Sequence, residues 1–360
     1  MSNCMMIPFL KERLKEFNVT DFVDELTDAA MQLGCLCARL DSCRFIGAMI
    51  SMFYGKETVA SLYIEGTQTT ISGVLENNLT EKPVETQVRK EFERHLSAFI
   101  FGESYLGIKP FSHEFIKRFH TILLSGFKEK PGEDIGYRKQ DNRIVNSFGK
   151  VVFEPPSHTE TKKYMDELIG FMNNRNDGVN PFIKAAILHA QFESIHPFED
   201  GNGRVGRALV GLYFYKSGLI NFPYFYLSEA ISRNKAVYYA KLDSTRNSDY
   251  NEWIRFFLRM VSIQAKRQIH YMDAVETLYE KTRTELKGVV NSPKFEAIIQ
   301  TLFEQPVLTS RALSTRLDVT VGQAKRYLEA LEERHILSGG DRKRNRLYYF
   351  TGLIDALHLY

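Results

Sequence analysis

The sequence predicts a mainly α-helical protein with one short β-hairpin and a smaller helical module at its C-terminal end. Apolar residues recur at helical spacing through most of the 360 residues, which is the first sign. The stretch YRKQDNRIVNSFGKVVFEPPS, at 137–157, instead holds two short β-prone runs around a turn-forming Asn-Ser-Phe-Gly. The third sign is a tail after 293 with its own succession of three helical patterns and a glycine turn.

Charged residues make up 25% and hydrophobic ones 44%, a balance that supplies a sizeable core and argues against wholesale disorder. At roughly 150 residues per domain the length predicts two or three domains. No apolar run approaches the ~18 residues of a membrane-spanning helix. The opening MSNCMMIPFLKERLKEF lacks the pattern of a secretory signal, so a cytoplasmic protein without membrane contact is expected.

Taken in order, DFVDELTDAAMQLGCLCARL and SHEFIKRFHTILLSGF read as amphipathic helices. All four cysteines, Cys4, Cys35, Cys37 and Cys43, fall in the first 43 residues. A secreted disulfide framework would be spread more widely, and the spacing fits no common zinc pattern. Reduced thiols buried in a helix are expected. The hairpin strands are Arg143–Val145 and Val151–Phe153. Ser157 and Glu160 have the spacing of a capping box for a helix bearing Tyr164, Leu168, Phe171 and Met172 on one face. Asn180-Pro181 starts another helix, which must stop near His196 because Pro197 follows. The next helix opens at Gly201-Asn202-Gly203, turns Val205, Ala208, Leu209 and Leu212 to one side, and stops at Gly218.

A boundary is expected near 275–292, around Gly288 and Asn291-Ser292-Pro293. Beyond it, KFEAIIQTLFEQ, TSRALSTRL and TVGQAKRYLEALEERHIL lead into the basic SGGDRKRNR and the aromatic LYYF. That order resembles a winged helix-turn-helix module. Residues 281–360 hold 13 Lys+Arg and 9 Asp+Glu, a mild basic excess that leaves DNA binding and protein contact, including homodimerisation, both open.

The chemistry concentrates in HPFEDGNGRVGR, 196–207. Glycines allow close backbone approach, and a helix N-terminus adds free N–H groups and partial positive charge, so the GNG turn is an anion nest. Arg204 and Arg207, three apart, can present guanidinium forks to phosphate oxygens. Asp200 is placed to hold Mg²⁺, a hard cation that favours carboxylate and phosphate oxygens. His196 has the side chain of a general base near neutral pH. Together these residues describe nucleotidyl or phosphoryl transfer, without the G-x-x-x-x-G-K-[ST] of a Walker loop.

The stretch resembles the signature of the Fic family, H-x-F-x-[DE]-G-N-G-R-x-x-R, at His196, Phe198, Asp200, Gly201, Asn202, Gly203, Arg204 and Arg207. The resemblance runs over roughly 45–270 and includes Gly136-Tyr137-Arg138 and Tyr238-Tyr239. It implies a Fic-type helical bundle with the hairpin as its flap, and AMP transfer from ATP to a Ser, Thr or Tyr hydroxyl of a target protein or of the chain itself. His196 would be the base and Asp200 the Mg²⁺ ligand. The GNG turn and Arg204 would cradle phosphate oxygens, and Arg207 would hold the γ-phosphate. Phe198 would anchor the loop, and Asn142, Arg143, Ile144 and Val145 would dock a target strand. Tyr238 and Tyr239 line the adenine pocket in the family or simply pack between helices. His189 reads as a core residue.

SLYIEG, 61–66, resembles the family's inhibitory motif [ST]-x-x-x-E-[GN], which makes Glu65 a candidate competitor for Arg207 as a bidentate partner. Glu76, in a looser match at 72–77, reads as a decoy. The expected division is an N-terminal helical region at 1–110 with the inhibitory helix at about 57–76, a catalytic core at 111–275 with the flap at about 142–156, and the winged-helix-like module at 293–360. Two other functions stay open: Fic-type phosphotransfer, and a nucleotide-sensing regulator that binds DNA through 293–360. Gly203 favours AMP transfer, because the family's phosphotransferases carry a bulkier residue there.

Overall fold

Two consecutive helices buried almost all round form the centre of the fold. The computed structural model describes residue 10 and residues 18–66, 87–125, 136–145, 151–247, 250–287, 293–340 and 345–358. Cys4, Glu76, the hairpin turn at 146–149 and the boundary residues Gly288, Asn291 and Ser292 lie outside them. The fold is mainly helical, as expected from the spacing of apolar residues. The described residues fall into two compact units. One is drawn from Met1–Cys37, Ala60–Gln68 and Glu91–Ala265, the other from Ala38–Val59, Thr69–Lys90 and Lys266–Tyr360.

In the first unit the helices are α1 (Val23–Asp41), the end of α2 (Ile46–Ile64), α3 (Gln87–Ile108), α4 (His113–Ser125), then β1 (Ile144–Val145) and β2 (Val151–Phe153). They are followed by α5 (Thr161–Asn173), α6 (Pro181–Ile195), α7 (Asn202–Ser217), α8 (Ser228–Arg233), α9 (Lys235–Ser244) and the start of α10 (Tyr250–Leu286). α6 packs on α5 and α7, and α7 packs on α4. Every residue of α6 from Phe182 to Ile195 is buried. α7 buries not only Val205, Ala208, Leu209 and Leu212 but also Val210, Tyr213 and Phe214, so it has no single apolar face. A helix buried on all sides has this composition. α6 starts where expected: the Asn180 side chain accepts from the Phe182 N–H at 2.9 Å. α7 stops at Gly218, with φ 80°.

The hairpin forms, with Ile144 opposite Phe153 and Val145 opposite Val151. Two expectations fail. The Ser157–Glu160 capping box does not form: α5 begins at Thr161 with Glu160 as its N-cap and no side-chain cap. The Ser157 hydroxyl instead donates to the Asp141 carboxylate, 3.3 Å away at the other end of the hairpin. The thiols among the described residues are not buried. Cys35 is exposed and Cys37 and Cys43 are half-buried, because Leu33 and Leu36 take the core-facing positions of α1.

The second unit ends in α11 (Phe295–Glu304), β3 (Val307–Leu308), α12 (Ser310–Leu317), α13 (Val321–Glu333), β4 (Ser338–Gly339), β5 (Tyr348–Tyr349) and α14 (Thr351–His358). The three strands make one antiparallel sheet in the order β3-β5-β4. Thr320 and Gln323 form a reciprocal capping box at the start of α13. These elements share their unit with 38–59 and 266–287, and Phe45 stacks on Phe303 at 5.3 Å. Among the described residues no helix is long and apolar enough to cross a membrane.

The Asn180 cap can be checked directly. Asn180→Ala should cost about 1 kcal/mol and lower the melting temperature by roughly 2–4 °C, whereas Asn180→Asp keeps the acceptor and should hold. Equal losses in calorimetry would mean that the cap contributes nothing.

Candidate active site

The loop between α6 and α7 is built from two left-handed residues and a buried phenyl ring. α6 ends at His196, with φ 51° and ψ 59°, and the His196 N–H donates to Phe192 O at 2.9 Å. α7 starts after Gly201, with φ 76°; a Cβ there would lie 2.8 Å from Leu124. Both the conformation and the close approach therefore require glycine. Between them Phe198 is buried and stacks on His120, with ring centroids 3.7 Å apart. Asn202 closes the loop: its Oδ1 accepts from Phe198 N at 2.9 Å and its Nδ2 donates to Phe198 O at 2.8 Å. The Asn202 side chain thus holds the loop, leaving its backbone N–H at the nest. Asn142, ahead of β1, also donates to Phe198 O, at 3.2 Å.

His196 Nδ1 lies 3.3 Å from Glu193 O. A carbonyl can only accept, so Nδ1 carries the proton and Nε2 keeps the lone pair. Burial pushes the imidazole down to about 4; Arg138 and Arg246 push the same way, and the Glu193 carbonyl opposes. Burial thus favours the neutral ring, the form whose Nε2 can accept a proton.

The α7 N-terminus presents the N–H groups of 202–204, which have no partner within the helix, since Val205 N is the first to find Gly201 O. Asp200 is exposed and meets Arg204 Nη2 at 3.2 Å. Both arginines are engaged, Arg207 buried and Arg204 half-buried. Arg204 Nε meets Glu65 Oε2 at 3.0 Å, and its Nη1 meets Glu91 Oε2 at 3.4 Å. Arg207 Nη2 meets Glu65 Oε1 at 3.0 Å and donates to Ser61 Oγ at 2.8 Å. Glu65 is thus not the bidentate partner of Arg207 alone; each of its oxygens takes a different arginine. Lys235 donates to Tyr63 O and Tyr239 to Ile64 O, both at 3.4 Å, at the end of the helix that carries Glu65.

Tyr238 and Tyr239 part company. Tyr238 is buried with its hydroxyl 3.0 Å from His189 Nε2, and His189 stacks on Trp253. Tyr239 keeps 46% of its surface exposed. In the hairpin, Arg143 pairs with Glu154 at 3.0 Å, and Ile144 and Val145 form β1. Sequence reasoning missed Glu91, His120, Glu193 and Arg246. Glu193 is buried, burial raises its carboxyl to about 7, and its Oε1 has no hydrogen-bond partner among the described residues. Arg246 lies over the Phe153 ring at 3.8 Å. The helical period through SHEFIKRFHTILLSGF placed His120 on a helix, but no local pattern tells which buried polar residue faces the loop.

Comparison with known proteins agrees with this geometry. Residues 110–214 match the Fic/DOC family and residues 23–103 the Fic/DOC family N-terminal region. The probable protein adenylyltransferase aq_aa38 of Aquifex aeolicus (strain VF5) is 26% identical over 72% of this chain and 76% of its own length. The protein adenylyltransferase fic-1 of Caenorhabditis elegans is 29% identical over 33% of this chain, and the match spans 23% of its length. The crystal structure of a Fic family protein from Desulfovibrio desulfuricans G20 superposes with a TM-score of 0.58 at 19% identity, covering 92% of this chain and 96% of that one. A helical bundle whose central loop holds a histidine, an anion nest and paired arginines defines the class. This chain belongs to the Fic domain family.

Burial also holds His95 and His189 down to about 4. Between pH 6.5 and 4 the unfolded chain binds protons that these three buried rings refuse, so native stability should fall on acidification through that window. Glu193 works the other way, since its raised carboxyl gains a proton in the native state first. The melting temperature should therefore drop from pH 6.5 to 4.5, and more steeply in Glu193→Gln. A flat profile contradicts the assignment.

Proposed function

We propose that this protein transfers AMP from ATP to a hydroxyl side chain of a protein target or of itself, and that Glu65 holds the activity down. The observation that carries the reading is a glutamate seated on both motif arginines beside an anion nest, with His196 on the same loop. The named activity of the relatives supports it. Gly203 supports AMP over phosphate transfer by the family resemblance, and a Cβ there would also crowd Arg207 Nη1 at 2.8 Å.

In this mechanism His196 Nε2 takes the proton of the attacking Ser, Thr or Tyr hydroxyl. The oxygen bonds to the α-phosphorus, the bond to the β-phosphate oxygen breaks, and pyrophosphate leaves with the electron pair. The N–H groups at the start of α7 and Arg204 meet the phosphate oxygens. Arg207 orients the γ-phosphate once Glu65 leaves it. Asp200 is an exposed oxygen donor, as a Mg²⁺ ligand must be. No cluster of three His, Cys, Asp or Glu ligands accompanies it among the described residues, so the fit is to an ion that completes its shell from phosphate and water. Such an ion, when bound, neutralises phosphate charge. Tyr239 offers an adenine its exposed ring, which the buried Tyr238 does not. Asn142–Val145 offer a target strand the open edge of a two-stranded sheet.

The same reading takes 1–110 as the regulatory region, 111–275 as the catalytic core and 293–360 as a winged-helix-like module. The order helix, strand, helix, helix, strand, strand from α11 to β5 supports the last. A gel shift with duplex DNA that weakens as salt rises would mark phosphate contacts by that module.

Incubation with ATP followed by intact mass measurement tests the reaction. Glu65→Gly should raise self-labelling by on the order of 10²-fold, and the added mass should be that of AMP, not phosphate. In that background His196→Ala should lower the rate ~10²–10⁴-fold, and Arg207→Ala should cancel much of the gain. A folded Glu65→Gly protein that gains no AMP on itself or on any lysate protein overturns the reading.

A further inference from the structure

Arg138 lies in the segment that leads into β1, 58 residues before His196 in the chain, and is buried. Its guanidinium donates to three carbonyls. Nε reaches His196 O at 3.0 Å, Nη1 reaches Gln140 O at 3.1 Å, and Nη2 reaches Pro156 O. Its own N–H donates to Pro197 O at 2.9 Å. Gln140 and Pro156 stand at the two ends of the hairpin, and His196 and Pro197 open the catalytic loop. One planar fork therefore joins both feet of the hairpin to the loop. Asp141, next to Gln140, reinforces the joint by accepting from His158 N at 2.7 Å, just beyond Pro156.

His196 needs such support. A non-glycine residue at φ 51° is disfavoured and persists only where its surroundings over-determine it. Its N–H is fixed by Phe192 O and its C=O by Arg138, so both adjoining peptide planes are held. The direction of the imidazole follows from those planes.

We propose that Arg138 is a positioning residue for the transfer: it fixes His196 relative to the hairpin, so that a target strand added to the hairpin brings its hydroxyl to Nε2 in register. This rests on the AMP-transfer reading, and the two can fail separately. The hydrogen bonds just described go to the loop and hairpin, not to the α7 N-terminus, so ATP binding should not depend on them. Lysine cannot replace the fork, because a single ammonium does not match three carbonyls spread around a plane. It does keep the positive charge beside His196. The other charged groups facing that ring are Arg246, after α9, and Asp200, on the loop itself.

The test uses Arg138→Gln and Arg138→Lys in the Glu65→Gly protein, with folding checked by near-ultraviolet circular dichroism. Steady-state labelling by ATP is combined with proton NMR titration of the His196 ring, identified by its loss in His196→Ala. Misplacing the base by about 1 Å should lower kcat ~10²-fold in both variants, with the KM for ATP within about twofold of the parent. The His196 midpoint should rise in Arg138→Gln and stay in Arg138→Lys. Parental kcat in either folded variant overturns the proposal, as does a rise in KM that matches the fall in kcat. Should Arg138→Gln not fold, Arg138→Lys decides alone by kcat. Should the Glu65→Gly parent itself not label, the AMP reading fails, and a His196 ring resonance that keeps its parental chemical shift in both folded Arg138 variants would then overturn the Arg138 proposal independently.

Discussion

The rest of the site depends on one constraint: a polar loop must pass between two helices that are buried on nearly every side. α6 and α7 leave few positions where water can reach the loop, so its backbone groups need protein partners. Asn202, Asn142, His120 and Arg138 supply them, each from a different part of the chain. The left-handed turns at His196 and Gly201 are the geometric cost of reversing direction in so few residues. The loop is therefore held from several sides by protein hydrogen bonds before any ligand arrives.

Glu65 is held from the α7 side. It meets two guanidiniums that are themselves fixed, one by Ser61 and the other by Glu91 and Asp200. Taking one partner from a buried ion pair ordinarily costs about 3–5 kcal/mol, because a charge is left without compensation. Here each arginine keeps other acceptors when Glu65 leaves. Arg204 keeps the carboxylates of Glu91 and Asp200, whereas Arg207 keeps the hydroxyl and carbonyl of Ser61.

Much of this was legible in the sequence, and the reasons differ by element. The caps at Asn180 and Gly218 depend on residue types whose effects are local, and both are present. Ser157 and Glu160 also had the right local spacing, but Asp141 lies close in space and takes the Ser157 hydroxyl. The thiols of Cys35 and Cys37 were misplaced because composition gives a residue's preference and not its rotation on a helix. The motif named the loop residues by their spacing alone. Arg138 was named by the resemblance but not its contacts, and Glu91 and Arg246 reach this region from distant segments, which only the fold brings together.

The end of the helix that bears Glu65 has a further consequence. The last carbonyls of an α-helix lack intrahelical partners, and such ends ordinarily unwind and rewind rapidly. Tyr63 O and Ile64 O instead accept from Lys235 and Tyr239 of α9. Two carbonyls of the last turn, immediately before Glu65, thus find partners that the helix itself does not supply.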